Sequence, residues 1–175
     1  MKTAPIRRSA IDKKHGESCD FLDMRIDRNG IWFHKGAPIK RMAMVKLFAS
    51  VLNKHSDGTF WLTTPIEHGR IEVEDAPFIA VELFQKGAGR SQEIDFRTNV
   101  NDMISLGPSH SLRVDQNIHT GEPAPYISAG RGLEAKLKRA VFYSLVELGE
   151  TTTHQPDTGS YGVWSRGIWF PIGKL

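Results

Sequence analysis

A single cysteine, Cys19, stands among the 175 residues, so no intramolecular disulfide can form. That scarcity fits a reducing compartment, and the cytoplasm is the expected location. No window holds the ~18 consecutive apolar residues that a membrane span requires. Lys2, Arg7, Arg8, Lys13 and Lys14 make the first segment basic, but no apolar stretch follows them. A secretory signal is therefore not expected. Phosphate-binding glycine loops are missing as well. Gly87-Ala88-Gly89 matches neither a dinucleotide fingerprint nor a Walker loop, and reads as a hairpin turn. The histidines at 15, 34, 55, 68, 110, 119 and 154 show no His-x-x-x-His or Glu-x-x-His spacing. His110 and His119 with Asp115 would converge on a metal only by chance of loop geometry. Gly107-Pro108-Ser109-His110 lacks the geometry of a nucleophile elbow. The sequence thus assigns no catalytic residue, no metal and no cofactor.

Positive charge is present but uneven. Residues 1–50 carry eleven Lys and Arg against five Asp and Glu, whereas the remainder carries twelve against fifteen. Such a field suits anionic partners such as phosphates or nucleic acid, although a solubilising basic tail is the plainer reading. Residues 1–20 show no apolar periodicity and are expected to form a mobile basic arm. The tetrapeptide Gly-Ile-Trp-Phe occurs at 30–33 and again at 167–170, which raises the idea of two related units.

Periodicity supports that idea. Asn29-Gly30 predicts a type I′ turn between a strand at Ile26 and a return strand from Ile31 to Phe33. Met44, Leu47, Phe48, Val51 and Leu52 predict a buried stripe on a helix from Arg41 to Asn53. Strands are expected at Thr59–Thr64, Arg70–Glu74, Phe78–Phe84 and Glu93–Arg97. Shorter ones follow near Met103–Leu106 and Ser111–Val114, then a Pro/Gly loop from Asn117 to Pro125. Leu133–Leu148 reads as a second helix entered through Gly130-Arg131-Gly132, where backbone N–H groups could hold a phosphate. A polar loop from Thr151 to Ser160 leads to a last hairpin around Arg166-Gly167. The expected fold is α+β. It consists of two tandem strand–strand–helix–strand–strand units with antiparallel sheets, over residues 21–86 and 87–175.

Several motifs in register carry a resemblance. Gly30-x-Trp32-x-His34-x-Gly36-x-Pro38-Ile39 is followed by Leu47-Phe48-Ala49-Ser50-Val51-Leu52, Asp57-Gly58-x-x-Trp61-Leu62-x-Thr64-Pro65 and Val73-Glu74-Asp75-Ala76-Pro77-Phe78. Phe96-Arg97-Thr98-Asn99-Val100, Gly132-Leu133-Glu134-Ala135, Val146-Glu147-Leu148 and Gly162-Val163-Trp164-Ser165 continue it. Together they resemble the bacterial domain-of-unknown-function family twelve-eighty-five, across residues 21–172. The resemblance implies a duplicated core and a C-terminal half superficially like a pleckstrin-homology domain. It also implies a ligand site between the halves, a nucleotide-like or nucleic-acid-derived ligand and a signalling role. Motif residues whose chemistry suits such a site are Trp32, His34, Arg41, Thr64, Glu74, Asp75, Arg97, Arg131 and Arg139. Arg97 and Arg139 would hold charge, and Trp32 would stack. Two other readings stay open: a protein–protein adaptor using a sheet edge, and a hydrolase using Glu74 and Asp75. None of these motifs encodes an oligomeric state.

Overall fold

A computed structural model of the chain describes residues 21–65, 67–118, 120–152 and 159–174. The expected basic arm, Cys19, His15, His119 and His154 lie outside these residues.

Alternating apolar residues start the first sheet. In β1 (Phe21–Ile26) Met24 and Ile26 are buried while Phe21 and Asp23 face out, the period-two pattern of a half-covered strand. The chain reverses into β2 (Trp32–His34) through five residues rather than a two-residue type I′ turn. Only Gly30 of the expected pair has positive φ, at 74°. The Asp27 carboxylate instead accepts bonds from the Asn29 and Ile31 N–H groups at 2.9 and 2.8 Å, an Asx-type turn that competes with the tight hairpin. β3 (Ala37–Pro38) and helix α1 (Met42–Val51) follow. Next come β4 (Leu52–Lys54), β5 (Phe60–Thr63) and β6 (His68–Val73).

The second sheet begins with β7 (Phe78–Lys86), β8 (Glu93–Thr98) and β9 (Met103–Ser105). It is completed by β10 (Leu112–Gln116), β11 (Pro123–Gly130) and β12 (Leu133–Leu137). Helix α2 (Arg139–Glu147) then precedes β13 (Glu150–Thr151), β14 (Ser160–Ser165) and β15 (Ile168–Lys174), which form a small third sheet.

The two six-stranded sheets share one topology. The first runs β3-β2-β1-β6-β5-β4, and the second, read from its far edge, runs β9-β8-β7-β12-β11-β10. Each is two three-stranded meanders joined by one parallel pair, β1 with β6 and β7 with β12. The sheets are therefore mixed, not wholly antiparallel. The helices break the symmetry: α1 lies between the third and fourth strands of its unit, whereas α2 follows the sixth. The strand–strand–helix–strand–strand order thus describes neither half, and the duplication resides in the sheets.

Two segments depart from their local patterns for tertiary reasons. Leu133–Leu137 is a strand because Leu133, Ala135 and Leu137 also alternate, and all three are buried where β12 slots between β11 and β7. The period-3.6 stripe survives only from Arg139 onward. Pro123–Gly130 is a strand despite its prolines because Pro123 and Pro125 pair only with β10; β12 meets β11 from Tyr126 on. A proline is tolerated where one flank of the strand is free.

β7 belongs to the second sheet, so the chain changes sheets at Glu74–Pro77 rather than near residue 86. One continuous core nonetheless spans both sheets, from Met24 and Trp32 through Phe96 and Ile127 to Ile172. Fully burying a side chain the size of Phe96 or Ile94 contributes ~1.5–3 kcal/mol. The units also meet at Gly30. A Cβ there would lie 2.7 Å from Asn99 Nδ2 and 2.8 Å from Ile79 Cγ1. Asn99 uses that closeness: its Nδ2 donates to the Gly30 carbonyl at 3.0 Å and its Oδ1 accepts the Ile79 N–H at 3.0 Å.

Candidate functional site

The switch from one sheet to the other opens a cleft of about 580 Å³. Arg28 and Asn29 of the β1–β2 loop form one wall, and Lys136, Leu137, Lys138 and Arg139 form the other. Glu74, Asp75 and Ile79 lie between. A smaller lobe of about 220 Å³ shares Asn117, Lys136, Leu137 and Arg139, and continues over Pro125, Phe142 and Tyr143. A polar chamber with cations on both walls thus adjoins a more apolar one.

The acids of the cleft are already committed. Glu74 Oε1 accepts from Arg25 Nη1 at 3.0 Å, and Oε2 accepts the Arg28 backbone N–H at 3.2 Å. Asp75 takes the Tyr126 hydroxyl on Oδ1 at 2.8 Å and the Lys136 ammonium on Oδ2 at 2.5 Å. Tyr126 is buried, and burial pushes its phenol well above the usual range, helped by the bond to Asp75. Behind it, the Arg113 guanidinium sits 4.2 Å from the Tyr126 ring centroid and pairs with Glu134 at 2.7 and 2.8 Å. The bond to Glu134 raises the Arg113 pKa above its ordinary value. These contacts fix the floor of the cleft.

The cations at the rim are freer. Lys138 is exposed and makes no ion pair among the described residues. Arg139 Nε donates to the Tyr143 hydroxyl at 2.8 Å, which raises its pKa, and its Nη1 lies 3.7 Å from Glu122. Lys138 is also the residue that caps α2, with extended backbone (φ −59°, ψ 149°) and no side-chain hydrogen bond to the first turn. The N–H groups of the first helical turn have no intrahelical acceptor by geometry. They carry the positive end of the helix dipole. They open beside the cleft at Arg139.

Of the nine residues read from the sequence, Glu74, Asp75 and Arg139 come together here. The other six lie elsewhere. Trp32 is 1% exposed in the core, 6.2 Å from the Phe48 ring, and its indole N–H has no partner. Trp169, the tryptophan of the second tetrapeptide, is half-buried against Trp164 at 5.2 Å. His34 is exposed at the end of β2, and Arg41 is the exposed residue preceding α1. Thr64 closes a turn, bonding the Glu67 carbonyl at 3.1 Å and N–H at 2.9 Å. Arg97 is tied to Glu82 at 2.8 Å and to Asn101 at 3.0 Å, beside the β8–β9 turn. Arg131 sits in the β11–β12 turn with φ of 54° and donates to the Ser50 and Ala49 carbonyls at 2.5 and 3.1 Å. It therefore caps the C-terminus of α1; the expected helix entrance at Gly130–Gly132 is a hairpin turn.

Arg28, Asn117 and Lys138 carried no motif, and Asn29 was read only as part of the Asn29-Gly30 turn. For Lys136 a signal existed: it alternates with Ala135 and Leu137, which puts it on the open face once the segment is a strand.

Models of two adjoining families cover nearly the whole chain. Residues 9–76 match "Domain of unknown function (DUF1285), N-terminal domain", and residues 77–172 match "Protein of unknown function (DUF1285), C-terminal domain". The chain belongs to the DUF1285 family. Their junction coincides with the change of sheet. The fold is similar to that of a DUF1285 family protein from Silicibacter pomeroyi DSS-3. The TM-score is 0.82 at 44% identity, over 89% of this chain and 82% of that one. A DUF1285 family protein from Shewanella baltica OS155 is similar at a TM-score of 0.58 and 27% identity, over 72% of this chain and 91% of that one. No protein with a curated description matches the chain. Among the described residues no helix is long and apolar enough to cross a membrane.

Proposed function

We propose that this DUF1285 chain is a cytoplasmic, non-enzymatic binding protein with a signalling role, holding a phosphate-bearing, nucleotide-like anion in the cleft between its two units. The observation that carries this reading is the uncapped N-terminus of α2, which opens beside Lys138 and Arg139 and faces Arg28 of the other unit. Helix N-termini flanked by cations bind phosphate through backbone N–H groups and the dipole together. The neighbouring lobe over Pro125, Phe142 and Tyr143 offers apolar surface to the rest of such a ligand. The packing of α2 on β7 supports the pleckstrin-like reading of the second half.

Glu74 and Asp75 each have both oxygens engaged, which supports positioning rather than acid–base work. The adaptor reading has its best support at β9, an edge strand of the second sheet on which Met103 is 55% exposed.

Isothermal titration against inorganic phosphate, pyrophosphate and a panel of mono- and dinucleotides tests the cleft. Binding of at least one nucleotide is expected. Lys138→Glu combined with Arg139→Glu lowers its affinity by about tenfold or more, since a hydrogen bond to a charged group contributes ~1.5–3 kcal/mol. No binding by any member at low salt, or binding unchanged in the double variant, overturns the reading.

A further inference from the structure

Helix α1 presents apolar side chains to the outside. Val45 and Ala49 are its buried residues, and Phe48 packs on Trp32, which belongs to the buried face of the first sheet. The opposite side of the helix therefore points away from the protein. On it Lys40, Met44, Leu47 and Val51 follow one another at spacings of three and four residues, which makes them one ridge. Met42, Met44 and Leu47 are three of the nine large apolar side chains exposed among the described residues, all on one helix of ten residues. Ser50 adds little polarity, because its hydroxyl donates back to the Leu47 carbonyl at 2.6 Å. A surface helix ordinarily turns its charged and polar side outward.

Cations border the ridge, and no carboxylate offsets them. Lys40 and Arg41 precede the helix and Lys46 flanks it; all three are exposed and make no ion pair among the described residues. Arg131, at the other end, bonds the carbonyls of Ala49 and Ser50, so no carboxylate cancels its charge. No Asp or Glu occurs between Asp27 and Asp57. Those two accept hydrogen bonds within their own turns, and Asp23 and Glu72 alternate onto the face of the sheet opposite the helix. Glu74 holds Arg25, and Glu67, in the turn after β5, pairs with none of these cations. Lys40 and Arg41 also stand at the positive end of the helix dipole, where a cation is unfavourable, and the first turn has no acid to compensate. A negatively charged surface outside the chain would reverse that cost.

We propose that α1 lies on an anionic lipid surface, with Met44 and Leu47 set shallowly below the headgroups and Lys40, Arg41 and Lys46 at the lipid phosphates. Helices that rest in the plane of a membrane combine an apolar side with flanking Lys and Arg, and anionic lipid strengthens their attachment. The shape of the site favours a bilayer over a protein. Ten residues make a convex ridge only ~15 Å long and one helix wide, whereas a stable protein interface covers ~800 Å² of each partner. A bilayer needs no groove to receive it. The ridge shares no residue with the seam cleft or its smaller lobe, so this inference stands apart from the nucleotide reading.

Flotation of the full chain with vesicles of equal parts phosphatidylglycerol and phosphatidylcholine, against phosphatidylcholine alone, is the test. Tighter binding to the mixed vesicles, weakening as salt rises, is expected. Met44→Ser with Leu47→Ser leaves every charge in place and is expected to weaken binding about fivefold or more. Lys40→Glu with Lys46→Glu leaves the apolar ridge in place and is expected to weaken it at least as much. All four positions are exposed, and circular dichroism confirms that the variants fold. No binding at low salt, equal binding of both vesicles, or indifference to either pair of substitutions overturns the proposal. So does binding lost in the Lys138→Glu, Arg139→Glu variant but kept in the α1 variants, which would move the contact to the cleft. Binding of polyglutamate but of neither vesicle would overturn it in favour of an acidic protein segment. A concentration-dependent dimer that Leu47→Ser removes, without vesicle binding, would overturn it in favour of a second copy of the chain.

Discussion

Tyr126 joins several parts of the molecule through one side chain. Its ring packs with Ala76 and Ala124, its hydroxyl donates to Asp75, and Arg113 lies over its face. Burial favours the neutral phenol, so the folded protein holds that proton more tightly than the unfolded chain does. The contribution to stability is complete below the unfolded value of ~10 and is lost as pH rises through the higher folded value. Absorbance titration of tyrosinate should therefore show a component beyond the ordinary tyrosine range that Tyr126→Phe removes. A titration identical in wild type and variant contradicts this. Nothing local marks Tyr126 in the sequence, because its neighbours Pro123 and Pro125 suggest a loop. Trp32 shows the opposite limit. An aromatic flanked by motif residues reads as a stacking surface, yet it is the core that claims it, at the cost of an unpaired indole N–H.

At the scale of elements, α1 depends on a residue from the other unit. Its last carbonyls, at Ala49 and Ser50, receive both Nη atoms of Arg131, 81 and 82 residues further on. A cation there also meets the negative end of the helix dipole. Arg131→Ala should destabilise the protein by about 1–2 kcal/mol in urea unfolding, with Arg131→Lys recovering part of the loss. An unchanged midpoint for Arg131→Ala would refute the cap. The stripe on α1 also changes meaning in the fold. Met44 and Leu47 match the helical period, but they are 40% and 62% exposed, and Val45 and Ala49 are the residues buried. The period shows that a helix forms, while the sheet it packs on decides which side is inside. For Leu133–Leu137 both periods are present, and pairing with β7 selects the strand. Of the cleft, Glu74, Asp75 and Arg139 were legible from their motifs and chemistry. Arg28 and Lys138 were not, because their roles depend on walls contributed by different units.

On the scale of the whole molecule, the two sheets share a core and are pinned together at Gly30 and Asn99. They should unfold as one. Trp32 and Trp61 report on the first unit, Trp164 and Trp169 on the second, and circular dichroism on both. Fluorescence and dichroism transitions in urea are expected to coincide; two separated transitions would show that the units are independent. The sequence by itself determined the α+β class, most strands, the place of α1 and the family, because short-range periodicity and motifs in register are written along the chain. Tertiary structure alone decided the topology of each sheet, since its single parallel pair joins residues 47 to 57 positions apart and leaves no local trace. It also decided the cleft, which exists only because that closure brings Arg28, Asp75 and Lys138 around one seam.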